Sequence, residues 1–278
     1  MRVLHTLFTA AAAISIAGCA TQDTRSIATA PAPTIVPAPV VAAPDPVPAL
    51  DRRALELARI AELVPDADPG VLALALEARE CAVRNGQVGR DARLAVIDFS
   101  RPSTDKRMWV LDVAQGKLLY REHVTHGQGS GGNMATSFSN VEGSFQTSLG
   151  LYRTAETYIG GNGYSLRMDG LDRGFNDQAR QRAIVMHGAW YADPDLIAKQ
   201  GRLGRSQGCP ALREGVARQV IDAIKGEQLV FHYANDARFL RDARSFACDG
   251  RNAQQILAAA RMPANDRGGM GSVAIAAP

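Results

Sequence analysis

The chain has 278 residues, 46% of them hydrophobic and 21% charged, which suffices for one large or two modest buried cores and excludes global disorder. Thirty-one basic residues against twenty-eight acidic ones leave a formal charge of +3, so there is no strongly basic footprint for nucleic acid and none is expected as a partner. Beyond the first twenty residues no apolar run is long enough to span a bilayer.

Residues 1–18 read as a secretory signal: a short basic start is followed by an apolar, small-residue run from Leu7 to Ala17. Ile16-Ala17-Gly18-Cys19 has the form of a bacterial lipobox, in which cleavage precedes Cys19 and that cysteine becomes lipidated. The expected location is therefore the periplasm, on a membrane surface, with Ala20 favouring the outer membrane. Residues 19–49 are rich in Ala, Val and Pro, and seven of the fourteen prolines lie between Pro31 and Pro48. Such a segment is an extended tether, since proline removes backbone donors and disfavours helix in the residue before it.

Residues 50–89 are expected to form a helical hairpin. The first helix spans 51–64, capped by Asp51 and stopped by Pro65. Asp68 caps the second, Pro69 opens it, and the pattern runs through Arg84 to a stop at Gly86. From Leu94 onward short apolar runs alternate with turn residues, predicting strands at Leu94–Phe99, Met108–Val113, Lys117–Val124, Phe145–Tyr152, Tyr164–Leu171 and Ala183–Met186. Ala114-Gln115-Gly116 joins two of these as a hairpin. The stretch Gly127–Gly132 lacks the Lys-Ser or Lys-Thr ending of a phosphate loop and reads as a surface loop. A helix over Arg213–Lys225, a strand over Gln228–Tyr233 and helices over Asp236–Phe246 and Asn252–Arg261 complete the pattern, with a loose tail after Pro263.

If Cys19 carries lipid, three cysteines remain in an oxidising compartment, which leaves at least one unpaired within the chain. Cys81 and Cys248 lie in or beside helices with no nearby histidine or glycine run, and are expected to pair. Cys209 sits in Gly204-Arg205-Ser206-Gln207-Gly208-Cys209-Pro210-Ala211, where a preceding glycine allows close backbone approach and successive N–H groups can face an oxyanion. Of the downstream histidines, His123, His126, His187 and His232, only His187 closes an apolar run and precedes a glycine, which places an imidazole at a strand end. A cysteine, a histidine and a glycine-flanked backbone indicate nucleophilic acyl transfer.

His187-Gly188 followed by Ser206-Gln207-Gly208-Cys209 resembles the signature of L,D-transpeptidases of the YkuD type, and Arg205–Ala211 resembles the divergent murein branch of that family. Upstream, His126-Gly127, Ser137–Asn140, Thr147–Tyr152 and Ser165–Leu171 extend the similarity over about residues 90–235. Gln207 departs from the more common form, which has histidine at this place.

The resemblance implies a mainly β fold with flanking helices: a partly closed β-sandwich or barrel as the catalytic domain at 90–235, preceded by the helical hairpin and followed by C-terminal helices and tail at 236–278. It implies Cys209 as nucleophile, His187 as proton carrier oriented by the Gly188 carbonyl, and the N–H groups of Gly208 and Cys209 as oxyanion donors. The substrate class implied is the peptidoglycan stem peptide, with no cofactor and no metal. Arg205, Arg153 and Arg167 are candidate carboxylate anchors, with Ser206 and Tyr191 as further substrate contacts. Three rivals stand beside transpeptidation: L,D-carboxypeptidase or amidase action by the same residues, a wall-binding lipoprotein without catalysis, and a zinc peptidase using His123, His126, His187 and Cys209. The last is disfavoured because His123 and His126, three apart on a strand, face opposite ways.

Overall fold

A cap, a proline and a glycine delimit the second helix before any packing is considered, and the computed structural model, which describes residues 49–262, shows that helix at the expected place. Helix α1 covers Ala49–Leu63 and α2 covers Pro69–Arg84. The Asp68 carboxylate accepts from the N–H groups of Gly70 and Val71 at 2.7 and 3.1 Å, satisfying two donors that the first turn otherwise leaves unpaired. Helix α1 starts two residues ahead of Asp51, so that residue lies inside the helix and is not its cap. The expected signal, the lipidated Cys19, nearly all of the Pro-rich tether and the tail after Pro263 lie outside the described residues. Among the described residues no helix is long and apolar enough to cross a membrane.

Eight strands form one sheet: β1 (Leu94–Asp98), β2 (Met108–Asp112), β3 (Lys117–Glu122), β4 (Gly150–Gly160), β5 (Gly163–Gly170), β6 (Val185–Gly188), β7 (Ala211–Leu212) and β8 (Leu229–Tyr233), in the order β3-β2-β1-β8-β4-β5-β6-β7. Two neighbouring interior strands, β1 and β8, are parallel and buried along their whole length, which is why both read as continuous apolar runs rather than alternating ones.

Two strands are displaced from expectation. The strand expected at Phe145–Tyr152 begins at Gly150 and runs on to Gly160, pairing with β8 and β5. Its outer half carries an irregularity between Thr154 and Thr157 that erases the period-two pattern. Phe145 itself has φ of +54°, incompatible with a strand. The strand expected at Ala183–Met186 is β6, two residues later, because Ala183 sits at φ of +52° in the preceding turn.

The outer strands do not remain open edges. The chain continuing β3 is drawn against β7 and the loop before it: Thr125 N–H donates to the Ala211 carbonyl at 3.0 Å, Ser206 N–H to that of His126 at 3.0 Å, and Gln128 N–H to that of Ser206 at 2.7 Å. The sheet is thus a nearly closed barrel whose seam is formed by residues 125–128 and 206–211.

Helices α3 (Asp195–Gln200), α4 (Glu214–Ile224), α5 (Ala237–Asp242) and α6 (Ala253–Arg261) complete the fold. The first of these was not foreseen, and α5 is shorter than the segment expected at Asp236–Phe246. Helix α2, buried on nearly all sides, packs against α1, α6, β1 and β8, so the helical pair and the C-terminal helices share one core with the sheet. A disulfide joins Cys81 of α2 to Cys248, 167 residues away.

Candidate active site

Cys209 stands in the seam. It is the free cysteine among the described residues and is 9% exposed. Its Sγ accepts from the Val185 N–H at 3.4 Å and faces the Ala183 carbonyl at 3.7 Å. Burial pushes the thiol pKa up, against smaller opposing effects of the Val185 N–H and the Arg182 guanidinium, so the resting sulfur is a protonated thiol.

His187 lies two residues beyond Val185 on β6, and side chains two apart on a strand share a face. It is 2% exposed, and burial lowers its pKa, so the ring is neutral at pH 7. Its Nδ1 lies 2.9 Å from the carbonyl of Gly188, a group that only accepts; Nδ1 therefore carries the proton and Nε2 holds the free lone pair. His187 pairs with Ser165 on β5 and with Ala211 on β7, which places Cys209 two positions before its parallel partner. In this conformation no hydrogen bond joins the sulfur to the imidazole.

The loop before the cysteine is held by its own side chains. Ser206 Oγ donates to the Cys209 carbonyl at 2.6 Å and accepts from the Gly208 N–H at 3.1 Å. Thr147 Oγ1 accepts from the Gly127 N–H at 2.9 Å and faces the Gly208 carbonyl at 3.3 Å. Gly208 has φ of +124°, and a Cβ there would meet the Gln146 carbonyl oxygen at 2.8 Å; only glycine fits. A Cβ on Gly127 would likewise lie 2.9 Å from the Gly208 Cα.

These contacts correct several expectations. The Gly208 N–H is occupied by the Ser206 hydroxyl and does not face an oxyanion; the Cys209 N–H has no hydrogen-bond partner among the described residues. Ser206, expected either to meet substrate or to orient the loop through its hydroxyl, is buried and spends that hydroxyl on the loop. The stretch Gly127–Gly132 is not a free surface loop: Gly127 and Ser130 are buried, and its backbone forms one lip of the seam.

Arg205 donates to the Gly131 carbonyl at 2.9 Å and so props that lip. Arg167 pairs with Glu156 at 3.1 Å and stacks over Tyr158, while Arg153 stands 3.9 Å from Glu227. Neither shares a hydrogen bond, ion pair or ring contact with Cys209 or His187. Tyr191 does reach the site: its ring stands edge-on to that of His187, centroids 6.4 Å apart, and burial with the nearby Cys209 pushes its hydroxyl up to about 12. Trp190, stacked edge-on to Tyr191, is 70% exposed beside it.

The other histidines are committed elsewhere. His126 Nδ1 contacts the Arg107 guanidinium at 2.8 Å, His123 the Thr104 carbonyl at 3.1 Å, and His232 the Ser148 carbonyl at 3.0 Å. Among the described residues no three His, Cys, Asp or Glu side chains gather as a metal-holding group.

Sequence reasoning missed Arg182 and Thr147. Arg182 holds the carbonyls of Ser139 and Gln146 at 2.7 Å each, and its charge favours the Cys209 thiolate. It lies in an irregular turn without periodicity, and its only signal was position, immediately before the apolar run that leads to His187.

The family model for the L,D-transpeptidase catalytic domain matches residues 64–233. The chain belongs to this family. Solved structures similar to it include an L,D-transpeptidase from Mycobacterium smegmatis, with 15% identity, a TM-score of 0.32 and coverage of 51% of this chain and 59% of that one. The L,D-transpeptidase from Stackebrandtia nassauensis has 11% identity, a TM-score of 0.32 and coverage of 65% and 77%. That from Xylanimonas cellulosilytica has 14% identity, a TM-score of 0.30 and coverage of 66% and 93%. The chain thus spans about three-fifths of the length of the Mycobacterium smegmatis structure. No curated protein matches it.

Proposed function

We propose that this protein is a cysteine acyltransferase that cross-links peptidoglycan stem peptides through a thioester. The observation carrying the reading is the free Cys209 in a glycine-built seam, beside a strand that presents His187 with its Nδ1 proton pinned to Gly188 and its Nε2 open as a base.

The chemistry follows from those two atoms. A turn about the Cα–Cβ bond of Cys209 takes Sγ from the Val185 amide toward Nε2, which accepts the thiol proton as sulfur adds to the stem carbonyl. The Cys209 N–H meets the oxyanion, an interaction worth about 2.7–4 kcal/mol per donor in acyl transfer. The C–N bond then breaks, the imidazolium proton passes to the departing D-amino acid, and a thioester remains. An amine of a second stem attacks it and returns its proton through His187, and the thiol is restored.

Export and lipid anchoring at Cys19 are part of this reading. They rest on the leader pattern in the sequence and on the Cys81–Cys248 disulfide, a bond that persists in oxidising compartments.

Purified protein incubated with tetrapeptide-rich sacculi is expected to yield new peptide dimers, read by mass spectrometry of muropeptides. Trimmed tripeptides without dimers would make water the acceptor and the protein a carboxypeptidase. Cys209→Ala is expected to lose the covalent adduct that a carbapenem leaves on the wild-type chain, and an adduct surviving that change removes Cys209 as nucleophile.

A further inference from the structure

A cavity of about 470 Å³ is walled by the segment 138–142 on one side and the turn 174–182 on the other. The walls are tied together: Asn140 Nδ2 donates to Asp177 at 2.8 Å and Asn140 Oδ1 accepts from the Gln178 N–H at 3.2 Å. Two guanidinium groups, of Arg182 and Arg238, line it. Neither forms an ion pair among the described residues, unlike Arg167, Arg180 and Arg213. Arg238 lies over the Phe175 ring and makes a long contact of 3.5 Å to the Gly174 carbonyl; Arg182 bonds only neutral acceptors and keeps its Nε–H without a partner among the described residues. Glu142 is the acidic lining residue, exposed, in no ion pair within 4 Å among the described residues, and near enough for its charge to act on Arg182.

One wall residue, Arg182, also reaches the cysteine loop. A Cβ placed on Gly208, the residue before the nucleophile, would stand 3.5 Å from Arg182 Nη2. Arg182 therefore belongs both to the cavity wall and to the cysteine loop.

We propose that this cavity is a subsite for a free carboxylate of the peptide substrate, held between Arg182 and Arg238 while Cys209 engages the neighbouring carbonyl. A half-buried guanidinium with an unused donor and no carboxylate hydrogen-bonded to it is the group that recognises a carboxylate, which replaces lost solvation with charge-assisted hydrogen bonds. Polar walls of Asn140 and Gln178 and the apolar side of Phe138 suit a peptide rather than a bare ion. Glu142 suits an ammonium on the same peptide. The inference rests on the acyl-transfer reading for the identity of the peptide but concerns residues outside the Cys209–His187 pair.

The test uses the full chain carrying Cys209→Ala, so that binding is read without turnover, and two synthetic stem tetrapeptides that differ only in a C-terminal carboxylate or amide. Calorimetry is expected to show the acid binding at least tenfold more tightly than the amide, and Arg238→Gln, at an exposed position, is expected to remove most of that preference. Equal affinity for acid and amide overturns the proposal, as does a preference that survives Arg238→Gln or an absence of binding by either peptide. Two labels of Cys209 separate the two readings. Alkylation of an otherwise unaltered Arg238→Gln chain by iodoacetamide, which has no carboxylate, at the wild-type rate with the acid preference lost supports the subsite, whereas a wild-type chain that a carbapenem never acylates defeats the acyl-transfer reading even if the acid preference stands.

Discussion

Ser206 Oγ donates to the carbonyl oxygen of Cys209 across 2.6 Å, and the same hydroxyl accepts from the N–H of the intervening Gly208. One small side chain thereby ties the Gln207–Gly208 peptide to the Cys209–Pro210 peptide, while the peptide between them is held by Thr147 Oγ1 on the Gly208 carbonyl. This leaves the Cys209 N–H as the donor that remains for an oxyanion, because the Gly208 N–H is already used.

Ser206→Ala is expected to slow acylation of Cys209 by at least tenfold. Losing two buried hydrogen bonds at about 1 kcal/mol each lowers Tm by several degrees, too little to unfold the chain. Ser206→Thr keeps the hydroxyl and should retain most of the rate. Intact-mass time courses with a carbapenem, beside thermal melts, check both arms. An unaltered acylation rate in the alanine variant would remove Ser206 as the residue that positions the loop.

The elements that the sequence made legible are those whose ends are specified locally. Helix α2 has Asp68, Pro69 and Gly86 as punctuation, and β2 and β3 are joined by a turn closing at Gly116, whose φ is +62°. Strand β4 was shifted because its outer half, Thr154–Gly160, interleaves polar and apolar residues around an irregularity, whereas Phe145, which opened the expected run, sits at positive φ in the preceding loop and is partly exposed. At the site, Cys209 and His187 stood out by residue type and glycine context. The roles of Thr147 and Arg182 did not, since each depends on a carbonyl or N–H from a segment remote in the chain, whereas the bonds of Ser206 stay within its own loop. Barrel closure was hidden for the same reason: the contacts between 125–128 and 206–211 leave no periodicity in either segment.

The resting thiol gives a second prediction. Cys209 is buried, bonded to backbone, and held above the ordinary thiol range, so its thiolate fraction at neutral pH is small. Alkylation by iodoacetamide, followed by peptide mapping at Cys209, should rise steadily with pH through 9 without the levelling that an unperturbed thiol shows near about 8.5. A plateau near neutrality would instead reveal a preformed thiolate–imidazolium pair and contradict the proton transfer assigned to His187 Nε2.

The disulfide makes a third. Cys81–Cys248 closes 167 residues of chain and fixes α2 to the segment before α6, away from the seam. Replacing both cysteines by serine is expected to cost about 2–5 kcal/mol of stability. Cys209 acylation per folded molecule should be unchanged, since neither residue touches the cysteine loop. Denaturant titration together with carbapenem labelling separates the two quantities, and a labelling rate that fell with stability would show that the helices transmit strain to the site.

Acid sensitivity follows from His232, fully buried between Phe99 and Tyr152, where burial pushes its pKa down to about 4. The folded state favours the neutral ring, while the unfolded chain takes up a proton near pH 6.5. The stability held by this group is therefore complete above about pH 6.5 and is lost as pH falls toward 4, amounting to on the order of 3 kcal/mol. His126, also buried and pushed down to about 4, acts in the same direction. Burial of the Asp98 and Asp172 carboxyls raises their pKa values and gives the opposite slope above the ordinary carboxylate range, so the whole protein's profile mixes both. A difference measurement isolates the histidine. His232→Gln should be less stable than wild type at pH 7, and the gap between them should narrow on acidification to pH 5. Parallel denaturation curves at the two pH values, with an undiminished gap, would mean that the ring is already protonated in the folded state.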